Sequence, residues 1–152
     1  ANYFLLKEDM HYDKINSLCY YSHAWYLALH DKNITEDCEY YFNKKFDVFN
    51  KYLAEEFERF NEVNNVINIK GHLVKRVEDE LKLKLNDELT SFLDDVWETY
   101  GDKSGFALKL GISRELPYLK SKLNITMLFN KKSKICEKDI KEYYLSVKNE
   151  DY

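Results

Sequence analysis

Apolar positions along this chain recur mostly at intervals of three and four, and the densest run of them lies at 13–30, DKINSLCYYSHAWYLALH. Within it Ile15, Leu18, Cys19, Ser22, Tyr26 and Leu29 follow helical spacing, while Tyr20, Tyr21, Ala24, Trp25, Leu27 and Ala28 cover most of the remaining circumference. A helix that is apolar nearly all round is a buried one. Its roughly 18 residues approach membrane-spanning length, but Asn16, Ser17, Ser22, His23 and three tyrosines are too polar for a lipid-facing span. The pattern predicts the central helix of a soluble domain, with Leu18, Trp25, Tyr26 and Leu29 in the core.

The other periodic segments are shorter. ANYFLL predicts a small apolar helix beside the central one, and Asp13 is the expected start signal of the central helix. A second helix is expected from Phe46 to Phe60, where Phe46, Phe49, Leu53, Phe57 and Phe60 fall at offsets 0, 3, 7, 11 and 14, a single apolar stripe. The best-punctuated helix spans 87–100: Leu89, Phe92, Leu93, Val96, Trp97 and Tyr100 share one face, which puts Leu93 and Trp97 in the core. Asn86 can cap its start, and Gly101 is expected to end it in a left-handed conformation. Ser104 begins a further helix through Leu110, closed by Gly111. Pro117 restricts PYLKSKL to a helix start, and Ile140, Tyr143, Tyr144 and Val147 form the stripe of a last helix before a frayed tail at 148–152. The stretch 33–41 is polar and aromatic without a clean period. At 61–85, helix and a small β-hairpin near Gly71 both fit. The fold class expected is therefore mainly α: one domain over residues 1–152, a compact bundle of six to seven helices around a buried central helix.

Composition sharpens this in three places. Only 4 Gly and 1 Pro leave too few turn residues for a many-stranded sandwich, and 13 Tyr with 9 Phe supply large buried areas and a stock of interface side chains. A net charge of −4 opposes non-specific binding to nucleic acid or anionic membrane. The three cysteines, an odd number without a close pair, suit a reducing cytoplasm. The opening ANYFLL is short and lacks a basic leader, so neither a signal peptide nor a membrane segment is expected.

Candidate chemistry is sparse. His11, His23, His30 and His72 form no HExxH or CxxC arrangement, and the isolated glycines make no phosphate cradle, so neither metal nor cofactor is expected. Cys19 precedes His23 by one helical turn, yet a thiol on an apolar face stays protonated and inert; His23 reads as a hydrogen-bonded core histidine and His30 as a solvated helix end. The acids at 78–80 and at Asp94 and Asp95 read as solvated faces. Between 118 and 135 there are five lysines (Lys120, Lys122, Lys131, Lys132, Lys134) and no acid, a patch able to touch phosphates. No pair of residues has the types and spacing that catalysis requires, and an enzyme is not expected.

Five blocks stand in a distinctive order: ANYFLL, KINSLCYYSHAWYLAL, SFLDDVWETYGDKSGFAL, RELPY and ICEKDIKEYY. In order and spacing they resemble the SocA-like antitoxin domain, also called the Panacea domain, over about half of the residues and both ends of the chain. Tyr41 falls where that family carries a tryptophan, and Lys44 and Lys45 replace its Gly-Pro step. In the turn block Ser113 stands in the place of histidine, Glu115 and Pro117 are kept, and Tyr118 replaces tryptophan. The resemblance implies a non-enzymatic protein that neutralises a toxin by direct contact, in one case as an adaptor to a protease. The departures point to Tyr40, Tyr41, Lys44, Lys45, Arg114, Glu115 and Tyr118 as partner-binding residues. Two alternatives follow: an inhibitor of a host or defence protein such as a nuclease, encoded by a phage or mobile element, and a nucleic-acid-binding regulator using the 118–135 lysines.

Overall fold

The computed structural model describes residues 1–36, 38–43, 47–60, 66–67, 85–123 and 132–150. Among them lie seven helices: α1 (Asn2–Leu5), α2 (Tyr12–His30), α3 (Lys51–Phe60), α4 (Asp87–Tyr100), α5 (Gly105–Ile112), α6 (Leu116–Leu123) and α7 (Glu137–Glu150). Five short strands join them: β1 (Met10–His11), β2 (Tyr40–Asn43), β3 (Asp47–Asn50), β4 (Val66–Ile67) and β5 (Lys132–Lys134). The fold is mainly α with a small antiparallel sheet of order β3-β2-β5, while β1 pairs with β4.

The central helix is where the apolar pattern predicts it. Ile15, Leu18, Tyr20, His23 and Ala24 of α2 have no solvent-exposed surface. Burial of each large apolar side chain contributes about 2 kcal/mol, so this helix is held by packing on every side. Helices α4, α5 and α7 pack around it. The Tyr21 and Tyr100 rings stack at 4.1 Å, Trp25 Nε1 donates to the Tyr100 hydroxyl at 2.9 Å, and the Trp25 ring meets Tyr144 edge-on at 4.9 Å. Leu18 and Leu93 are buried, and Trp25 and Trp97 pack partly buried against the core. Tyr26 is half-buried, its ring edge against Phe92 at 5.2 Å. Leu29 corrects the expectation: it is 44% exposed, because the last turn of α2 is covered on the side of Leu27 and Ala28, which are buried, and Leu29 faces away from it. Asp13 lies in the first turn, where its carboxylate meets the positive end of the helix as expected, and the cap position falls at His11.

Helix α4 has its expected limits. The Asn86 side chain accepts from Leu89 N at 2.8 Å. Gly101 is not left-handed, however (φ −65°), and the reason for glycine there is space: a β-carbon would lie 2.5 Å from the Trp97 carbonyl oxygen and 2.6 Å from its indole. Gly105 plays the same part for α5, where a β-carbon would stand 2.8 Å from the Lys14 backbone nitrogen. Two further expectations are corrected. The segment 47–50 is a strand, not the first turn of a helix; Asn50 Oδ1 accepts from Leu53 N at 3.1 Å, so α3 starts only at Lys51. The last helix runs to Glu150, through most of the tail expected to fray. The hairpin itself is β2–β3, with Tyr40 opposite Asn50 and Asn43 opposite Asp47; Gly71, where a hairpin was one expectation, lies outside the described residues.

Candidate protein-binding face

The three-stranded sheet has an inner and an outer face, set by the alternation of β2. Tyr40 and Phe42 point inward and are buried. Tyr40 packs between Tyr20, edge-on at 5.3 Å, and His23, stacked at 5.3 Å, so it is a core residue and not a surface contact. Tyr41 points outward and is half-buried: its hydroxyl donates to Glu39 at 2.7 Å, the Lys132 ammonium stands 4.7 Å from its ring centre, and Lys134 pairs with Glu39 at 2.6 Å. Lys44 and Lys45 lie outside the described residues.

The turn block 113–118 packs against this sheet. Tyr118 is buried, its ring edge on Phe42 at 5.2 Å and its hydroxyl donating to Asp47 at 3.4 Å; burial pushes that hydroxyl up to about 12. Asp47, in the left-handed region (φ 57°), also pairs with Lys109 at 3.0 Å, and Lys109 reaches Asp13 at 3.7 Å. Beside them Asn16 Nδ2 donates to the Val48 carbonyl at 2.7 Å. The cavity lined by Asp13, Asn16, Asp47, Lys109 and Tyr118 measures about 10 Å³, the volume of roughly one water and far below the several hundred Å³ of ordinary ligand pockets. This joint fastens the hairpin to α2 and α5.

Glu115 is likewise inside. It is 6% exposed, and the Tyr144 hydroxyl donates to its two carboxylate oxygens at 2.9 and 3.1 Å, while the Tyr20 hydroxyl approaches without completing a hydrogen bond. Burial pushes the Glu115 carboxyl up to about 8, against the opposing pull of the Tyr144 and Tyr20 hydroxyls, so near neutral pH it carries a proton. A neutral acid held by a tyrosine of α7 locks the turn in place; sealed from solvent, it positions α6 rather than meeting a substrate. Of the seven candidates, Arg114 and Tyr41 therefore keep solvent-accessible surface, whereas Tyr40, Glu115 and Tyr118 belong to the core.

The consequence of this locking is the orientation of α6. Pro117, Tyr118 and Ser121 face inward, with Ser121 Oγ donating to the Tyr118 carbonyl at 2.7 Å. Leu116, Leu119 and Leu123 face outward and are 50%, 42% and 83% exposed. The offsets 0, 3 and 7 place them on one stripe. The helix thus turns its serine and tyrosine to the core and its leucines to solvent. None of the three was among the candidates; their spacing was visible, but leucines at that spacing are ordinarily read as core. Of the lysines in the basic stretch, Lys120 pairs with Asp139 at 2.6 Å, and Lys132 and Lys134 are engaged as above. Lys122 is exposed and unpaired among the described residues, and Lys131 lies outside them.

Elsewhere, His23 is buried with neither ring nitrogen hydrogen-bonded, which corrects the expectation of a hydrogen-bonded histidine; burial pulls it down to about 4. His30 is exposed at the helix end, as expected. Cys19, Cys38 and Cys136 are free thiols, and burial pushes Cys38 up. Among the described residues no cluster of His, Cys, Asp or Glu could hold a metal ion, and no described helix is long and apolar enough to cross a membrane. Comparison of the chain with known protein families, characterised proteins and solved structures finds no match.

Proposed function

We propose that this chain is a non-enzymatic, antitoxin-like cytoplasmic protein that neutralises a cognate toxin by direct contact, either by blocking it or by delivering it to a protease. The observation that carries the reading is the exposed leucine stripe of α6, which adjoins the turn block where the chain departs from the SocA-like pattern. An apolar stripe held outward by a buried turn suits recognition of another protein. The five ordered sequence blocks support the same reading, and the joint at Asp47, Lys109 and Tyr118 supplies the rigid footing that a binding face requires. The nucleic-acid reading has less support, since Lys120 and Lys134 are ion-paired and Lys132 sits over Tyr41.

The test is co-expression with the product of the adjacent gene. Rescue of growth from that product, with co-purification of the two proteins, is the expected result. Failure both to bind and to rescue would remove the antitoxin reading, and capture of a defence nuclease instead would favour an inhibitor built on the same scaffold.

A further inference from the structure

We propose that the outward face of α6 docks an acidic amphipathic helix of the partner protein. This rests on the partner-binding reading above and specifies its chemistry. Leu116, Leu119 and Leu123 repeat at the i, i+3, i+7 spacing with which one helix offers apolar anchors to another. Within the segment that carries them the solvent-facing charges have one sign, the nearby acids being those of α7, where Asp139 is taken up by Lys120. Between 104 and 123 the only acid is Glu115, and it is buried; the exposed charges are Arg114, Lys120 and Lys122, and Lys109 is half-buried. Lys109 and Lys120 are paired with Asp47 and Asp139, which leaves Arg114 in the turn entering the helix and Lys122 in its last turn unpaired among the described residues. A greasy stripe with an uncompensated cation toward each end is complementary to a helix that carries leucines on one face and carboxylates beside them.

A second copy of this chain fits less well. An isologous contact of α6 with α6 sets Arg114 and Lys122 against the same residues of the other copy, like charge against like. Three leucines also amount to a few hundred Å² at most, whereas obligate dimers bury about 2,000 Å² or more.

The experiment measures fluorescence anisotropy of the full chain with a labelled amphipathic helical peptide bearing leucines flanked by glutamates. The same peptide with lysines in place of glutamates, and phosphatidylglycerol vesicles, serve as comparisons. The acidic peptide is expected to bind, the basic one not; Leu119→Glu should weaken binding about tenfold or more, and Lys122→Glu by severalfold. Phe106→Glu, which alters another exposed apolar residue on α5, should leave binding unchanged. Thermal melts of the three variants check the fold, which these exposed positions should hardly affect. Equal binding of both peptides, indifference to Leu119→Glu, preferential binding to vesicles, or dimerisation abolished by Leu119→Glu would each overturn the proposal. If the partner recovered by co-expression binds the Leu119→Glu variant as tightly as the native chain, the docking proposal fails while the neutralising function stands. If no neutralisation occurs but the acidic peptide binds through Leu119, the docking proposal stands without it.

Discussion

Replacing Glu115 by glutamine should change how stability depends on pH. In the unfolded chain this carboxyl ionises at its ordinary 4.5, and in the fold burial holds it at about 8. Between these values the unfolded state has lost a proton that the folded state keeps, so stability falls as pH rises and levels off only above about 8. Each pH unit is worth about 1.4 kcal/mol, which makes the loss about 3 kcal/mol at pH 7 and up to about 5 kcal/mol in the alkaline limit. His23 works in the opposite direction. Its folded value of about 4 lies below the ordinary 6.5, so its contribution is complete above pH 6.5 and declines as pH falls toward 4. The two slopes cancel between about pH 5 and 6.5, and the Glu115 effect stands alone from about pH 6.5 to 8, where the native protein should lose about 2 kcal/mol. Glu115→Gln keeps an acceptor for the Tyr144 hydroxyl and removes the titration. Urea unfolding followed by tryptophan fluorescence should show the variant flat over that window and more stable than the native protein at pH 8. Parallel curves for the two proteins from pH 5 to 8 would refute the reasoning, since the difference between them isolates this one group.

In the Glu115→Gln background, His23→Leu should abolish the loss of about 2 to 3 kcal/mol between pH 6.5 and 4.5 and leave stability at pH 7 no lower, because two buried nitrogens without partners are removed; a persistent acid limb in urea titrations would count against it. Gly101→Ala should cost about 2 kcal/mol and shift Trp97 emission, as the added carbon meets both the Trp97 carbonyl and its indole, and a melting temperature equal to the native one would contradict that. Asn86→Ala should destabilise by about 1 kcal/mol through loss of the cap on Leu89 N, measured by chemical denaturation; an unchanged midpoint would show that α4 starts without it.

Local signals were legible where one element carried both its period and its punctuation. Helix α4 is the clear case, with the Asn86 cap, one apolar face and a glycine at the end; even there, Gly101 serves close packing against Trp97 rather than a left-handed turn. The hairpin was hidden because Phe46, Phe49 and Leu53 happen to keep helical spacing across the junction of a strand and a helix. What breaks that period, the Asn50 cap and the left-handed Asp47, is short-range geometry that competes with the apolar pattern. The sequence points to Tyr40, Glu115 and Tyr118 as partner-binding residues, but their burial depends on Tyr20, His23, Tyr144 and Phe42, partners that only the tertiary fold brings to them. The direction of α6 was illegible for the same reason: serine and leucine exchange their usual sides because Tyr118 and Glu115 are anchored from other elements.

The outward leucines of α6 add little to the interior that holds the chain together. Their replacement by other side chains therefore leaves the architecture nearly untouched, while it rewrites what the surface can recognise. On the docking role proposed above, a few substitutions on this single helix change the partner without refolding the rest.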